Sequence, residues 1–130
     1  MAVLIYLHTI GAHYTFEKVP FDWFNNFFGF ERNNFDRVGH ASVGFYAYAI
    51  IEYLEKNKLT KKKRISYLFA IFAIFTIASC YEIIERLYAI NGDPDAGIAF
   101  LGSQGDIRDA QKDMLADGIG GIVTSLVYYF

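Results

Sequence analysis

The chain has 130 residues, 54% of them hydrophobic and 18% aromatic, and carries a formal net charge of −2. That length holds one domain, and a lone cysteine, Cys80, excludes an intrachain disulfide framework. A charged fraction of 20% leaves a soluble helical protein open on composition alone, so the distribution of the charges decides the class.

Residues 1–13 are apolar with two histidines, His8 and His13. No basic segment precedes them, so they do not read as a signal peptide. They read as the second half of a membrane helix that begins abruptly. The far end, Val127-Tyr-Tyr-Phe130, also stops inside apolar sequence, and both ends suggest a piece of a longer protein. Residues 14–35 mix Phe, Trp and Tyr with Glu17, Lys18, Asp22, Glu31 and Arg32. Aromatic and polar groups together suit a membrane–water interface, which predicts a loop holding a short helix broken at Pro20 and ended by Gly29.

A second span is predicted over 36–54, with Asp36 and Arg37 at one end and Glu52 and Glu55 at the other. A basic run from Lys56 to Arg64 follows. Residues 65–81 contain no charge, close to the ~20 residues that cross hydrocarbon, and the predicted helix covers 65–88. Positive charge beside a membrane segment marks the cytoplasmic side, which explains the basic run better than nucleic acid does. Asn91-Gly-Asp-Pro-Asp-Ala-Gly97 is a turn and loop signal that continues to Gly105. Asp106 is placed to cap a last helix running to Phe130, since a carboxylate there accepts orphan N–H groups. The expected fold is all-α: a polytopic membrane bundle of about four membrane helices plus an interfacial helix.

With the basic run in the cytoplasm, alternation brings the ends at His8 and His13, Asp36, Glu85 and Asp106 to the extracytoplasmic side. Asp36 and His40 share a helix face that continues through Gly44 and Ala47, small residues that permit close helix approach. Glu82 and Glu85 share another. Asp109, Asp113 and Asp117 repeat every four residues, and their stripe continues into Gly120, Gly121 and Thr124. Such a stripe cannot face lipid. A divalent metal ion can tolerate so many acids: carboxylates with one or two imidazoles suit Mn²⁺, Fe²⁺ or Zn²⁺, and all-oxygen sets suit Mg²⁺ or Ca²⁺. Arg32, Arg37, Arg86, Arg108 and Lys112 can also neutralise them as an ion-pair network. His40 is the sharpest candidate, a ligand or a general base oriented by Asp36. His8 and His13 lie on different faces, and His13 is the better placed at a helix end.

The stretches His8-Thr-Ile-Gly-Ala-His13, Arg32-Asn-Asn-Phe-Asp36-Arg37-Val-Gly-His40, Tyr81-Glu82-Ile-Ile-Glu85 and Leu101-Gly-Ser-Gln104-Gly-Asp106-Ile-Arg-Asp109-Ala-Gln-Lys-Asp113 resemble the YjdF family of bacterial inner-membrane proteins. The resemblance spans nearly the whole chain and implies one YjdF-like membrane domain in the bacterial inner membrane, shortened at its N-terminus. Arg86 and Arg108 depart from it, standing where tryptophan is expected. A looser likeness is to VanZ-like membrane proteins, which also carry Asp-x-x-x-His on one helix and Glu on the next. Neither implies a particular reaction.

The candidate site is therefore His40, Asp36 and Glu85 as catalytic groups, with Glu82, Asp109 and Asp113 as metal ligands. His13, Arg37, Gln104 and Asp106 are the binding groups. Three functions fit these residues. One is metal-dependent hydrolysis or transfer on a lipid or lipid-linked, anionic headgroup. Another is a proton- or ion-coupled transporter, and the third a structural membrane protein whose acids form an ion-pair network. Membrane lipid is the expected partner, and nucleic acid is not. The topology predicts that a cysteine placed at Asn57 resists a membrane-impermeant thiol reagent in intact cells, while one at Asn91 is labelled. The reverse pattern would overturn the orientation.

Overall fold

The computed structural model describes residues 2–91 and 103–130, and six helices lie among them. They are α1 (Ala2–His13), α2 (Asp22–Phe28), α3 (Phe35–Val43), α4 (Tyr46–Lys56), α5 (Lys63–Asn91) and α6 (Asp109–Tyr129). No strand occurs among the described residues. α3 lies between α1 and α6, and α6 packs along α5 and α4. Among the described residues α5 alone is long and apolar enough to cross a membrane unaided, with a mean hydropathy of 1.9 over its best window.

The burial pattern is the inverse of a soluble protein's. Large apolar side chains of α5 and α6, among them Phe69, Phe72, Ile84, Leu126 and Val127, point outward. Ser66, Asp113, Asp117, Thr124 and Ser125 are buried. A soluble helix hides its apolar face, whereas a helix in lipid keeps polar and small groups for its neighbours. The apolar core is small, built from Ala47, Ile51, Ala70 and Ile74 with Tyr46, Tyr67 and Tyr128 against them.

The span expected over 36–54 is two helices. Between α3 and α4 the backbone tightens into bonds three residues apart, Gly44 N–H to Ala41 O at 3.2 Å and Phe45 N–H to Ser42 O at 3.1 Å. The cause is tertiary. Here α3 and α6 meet backbone to backbone: a Cβ on Gly44 would collide with Gly120 and Gly121, and one on Gly120 with the Ala41 carbonyl. Small residues let helices approach this closely.

The ends of the other elements also differ from expectation. The strongest helix runs from Lys63 to Asn91, beyond 65–88 at both ends. The last helix begins at Asp109, so Asp106 is not its cap. Asp106 closes the preceding turn instead, its carboxylate accepting the Arg108 N–H at 3.0 Å. The loop expected after Asn91 lies, from residue 92 to 102, outside the described residues. In the 14–35 segment, α2 ends at Gly29, which adopts a left-handed conformation (φ 69°). Trp23 and Phe27 project from α2, while Phe24 stacks on Phe21 at 4.6 Å.

The glycine seam gives a stability prediction. Gly44→Val and Gly120→Val each overpack a backbone contact and should lower the thermal unfolding midpoint in detergent, at a cost of about 1–3 kcal/mol or more. Gly29→Asn should leave the midpoint unchanged, since its Cβ meets nothing within 4 Å and Asn tolerates that conformation. Equal effects at the three positions would show that the seam does not hold the bundle.

Candidate functional site

The aspartate stripe of α6 descends from the end of the bundle inward, and its exposure falls with each turn. Side-chain accessibility is 9% at Asp109, 4% at Asp113 and 2% at Asp117. The sequence explains the stripe: i, i+4 and i+8 share a helix face, and that face meets α3. α3 answers with Arg37 and His40 and is preceded by Arg32.

The outer layer is an ion-pair lattice. The Arg37 guanidinium forks across a helical turn, one nitrogen on Asp113 and the other on Asp109 at 2.5 Å. Arg32 binds Asp109 at 2.6 Å and approaches Asp106 at 3.6 Å, and Lys112 binds Asp106 at 2.5 Å. Three carboxylates thus meet three cations. The Lys112 ammonium, with the Arg108 N–H, holds the Asp106 carboxyl below the usual range, so it stays ionised at neutral pH. Gln104 joins α6's approach to the 32–34 segment, accepting the Asn33 N–H and donating to the Asn33 carbonyl, both at 3.0 Å. Asn33 in turn donates to the carbonyls of Glu17 and Val19.

The inner layer is different in kind. His40 Nδ1 lies 2.9 Å from Asp117 Oδ2, a hydrogen bond. Nε2, on the other side of the ring, faces Asp36 Oδ1 at 3.6 Å, Asp113 Oδ1 at 3.7 Å and Glu82 Oε1 at 3.9 Å. These separations are too long for hydrogen bonds. They are close to the ~3.4 Å edge of a tetrahedron whose ligand atoms sit ~2.1 Å from a metal ion. Asp36, His40 and Asp113 each offer a ligand atom within 4.8 Å of the others. Glu82 Oε1 and Asp117 Oδ1 are buried and have no hydrogen-bond partner among the described residues. Among the described residues no lysine or arginine reaches salt-bridging distance of Asp36, Glu82, Glu85 or Asp117.

A cavity of about 80 Å³ adjoins this layer. Asp36, His40, Glu85, Asp117 and His8 supply its polar wall, and Phe16, Val43 and Ile77 its apolar wall. That volume has room for water beside polar partners. Tyr81, one turn back on the same helix, lines the cavity with Glu85. Glu82 also borders an open groove between α5 and α6, lined by Arg86, Asp109 and Met114.

The expected residues therefore divide. Asp36, His40, Glu82 and Asp113 converge on one point, and Glu85 stands across the adjoining cavity. Asp109 is bound by Arg32 and Arg37 and stays in the outer layer, whereas Asp113 belongs to both layers, its Oδ1 meeting Arg37 and also facing His40 Nε2. Arg37 is spent on Asp109 and Asp113, Asp106 on Lys112, and both amide groups of Gln104 on Asn33. His13 is exposed and packs edge-on against Tyr14. The α1 imidazole at the cavity is His8, because Leu4, His8 and Gly11 form the face turned to the bundle. Thr15 and Phe16 then reverse the chain with positive φ and lay the Phe16 ring over Gly11. Asp117, outside the expected site set, is the group in direct contact with His40. Its place in the four-residue stripe was the available signal.

The whole chain, residues 1–130, matches the family described as predicted membrane protein (DUF2238). The chain belongs to the DUF2238 family. It is also 34% identical over 128 residues to the Inner membrane protein YjdF of Escherichia coli (strain K12), covering 93% of this chain and 60% of that relative. The chain thus spans 60% of the length of the curated relative it matches. No solved structure matches. This DUF2238 member is a helical membrane protein of the bacterial inner membrane.

The layered site predicts unequal mutational effects. Arg37→Gln leaves Asp113 buried without a cation and Asp109 with Arg32 alone, which costs about 3–5 kcal/mol of stability for a buried pair. Lys56→Gln breaks an exposed pair with Glu52 and should not measurably change stability. Thermal unfolding of the two variants in detergent checks this, and matching midpoints would show that the lattice contributes nothing.

Proposed function

We propose that the chain carries a divalent-cation site that performs hydrolysis or transfer on a lipid or lipid-linked headgroup at the extracytoplasmic membrane face. The observation that carries this reading is the inner layer: four carboxylates, Asp36, Glu82, Glu85 and Asp117, around one imidazole and without an arginine or lysine partner among the described residues. An ionised acid in a membrane helix costs roughly 3 kcal/mol on insertion scales, so four cost about 12. That equals the whole stability of an ordinary domain. A cation or protons must offset it.

In this reading Asp36, His40, Asp113 and Glu82 hold the cation. It would polarise a phosphoryl or carbonyl oxygen of the headgroup and lower the pKa of a bound water. Glu85, across the cavity, is the general base for that water. Arg37 does not reach the headgroup, because its fork is engaged. Arg86 takes that role, lining the open groove past Glu82 without a carboxylate partner among the described residues. A proton-coupled transporter is the second reading, favoured by the same four carboxylates if protons neutralise them.

Metal analysis of the purified, detergent-solubilised protein, paired with headgroup release from labelled membrane lipids, separates the two. The enzyme reading expects stoichiometric metal and release abolished by a chelator. His40→Gln and Asp36→Asn should each lower release by 10²-fold or more. Metal-free protein that conducts protons in liposomes would overturn the enzyme in favour of transport.

A further inference from the structure

The His40 ring is held from one side and open on the other. Nδ1 is bonded to Asp117 Oδ2 at 2.9 Å, and Asp117 is 1% exposed. Nε2 makes no hydrogen bond among the described residues and faces the carboxylates of Asp36, Asp113 and Glu82. A carboxylate accepts, so this bond places a proton on Nδ1, and in the neutral ring the lone pair then lies on Nε2. The second oxygen of Asp117 is buried and has no hydrogen-bond partner among the described residues.

We propose that Asp117 is a positioning residue that fixes His40 with Nε2 toward the cation, and thereby makes the site selective for a first-row transition ion over Mg²⁺ or Ca²⁺. This rests on the cation reading above and adds to it which atom binds, what holds that atom and which ions follow. One imidazole nitrogen among carboxylates is what separates the classes: Zn²⁺ and Mn²⁺ accept mixed nitrogen and oxygen sets, and Mg²⁺ and Ca²⁺ take oxygen. Asp117 lies on the Nδ1 side and so acts through His40. Outer carboxylates that orient a ligating histidine are commonly worth 10- to 100-fold in metal affinity. The order expected here is Zn²⁺ tighter than Mn²⁺, and both tighter than Mg²⁺.

The test is calorimetric titration of the full chain in detergent with Zn²⁺, Mn²⁺ and Mg²⁺, using the unaltered protein, Asp117→Asn, Asp117→Ala and His40→Gln. Asp117→Ala should weaken Zn²⁺ binding 10- to 100-fold and leave Mg²⁺ binding nearly unchanged. Asp117→Asn keeps an acceptor for the Nδ1 proton and should retain Zn²⁺ affinity within about tenfold. His40→Gln should abolish the preference for Zn²⁺ over Mg²⁺. Asp117→Ala that binds Zn²⁺ as tightly as the unaltered protein, or loses Zn²⁺ and Mg²⁺ equally, overturns the positioning role and spares the cation reading. An unaltered protein that binds none of the three ions overturns both. Nitrogen NMR of ¹⁵N-histidine in the unaltered protein loaded with Zn²⁺ needs no variant to fold. It should show the His40 proton on Nδ1 and an Nε2 resonance shifted by the metal, and an Nε2 that Zn²⁺ leaves unshifted overturns the proposal.

Discussion

A helix with aspartates at 109, 113 and 117 cannot present that stripe to hydrocarbon, and the arrangement of the bundle follows from where the stripe is received. The outer two acids are met by the Arg37 fork, which spans one helical turn and so sets the register of α3 against α6. Once that register is set, His40 falls one turn deeper, opposite Asp117, and Asp36 falls beside Asp113. The inner cluster is thus a geometric consequence of the outer ion pairs, although its own charge is not balanced by them.

The same register demands the glycine seam. Arg37 and His40 reach α6 only if the helices lie close, and close approach continues past the acids to Gly44, Gly120 and Gly121. Without side chains there, α3 and α6 touch through backbone, and the local turn between α3 and α4 tightens to accommodate it. Polar capture at one end and small-residue contact along the seam support each other, as expected where lipid removes any hydrophobic gain from helix association. The exposed aromatic and aliphatic exterior of α5 and α6 fits that solvent.

Much of this was legible because it depends on periodicity. The stripes at 36/40, 82/85 and 109/113/117 could be read from spacing, as could the small residues at Gly44 and Gly120. So could the uncharged run inside α5. What periodicity does not carry was missed. The break between α3 and α4 has no proline to announce it and is imposed by the packing of α6. The exchange of His13 for His8 depends on which face of α1 turns to the bundle, and the chain then reverses at Thr15 and Phe16, left-handed residues that are neither Gly nor Asn and so give no local signal. The division of the acids into a paired outer layer and an unpaired inner one depends on which arginines reach which oxygens. That is a matter of side-chain length and helix depth, and spacing does not encode it.

In the proposed function a bound cation holds the inner carboxylates and His40 together. Anomalous diffraction from crystals of the protein grown with Zn²⁺ or Mn²⁺ tests it most directly. The predicted result is a single strong peak beside His40 Nε2, between Asp36 and Asp113 and within reach of Glu82. A map without a peak there, with these side chains still converging on Nε2, would contradict it.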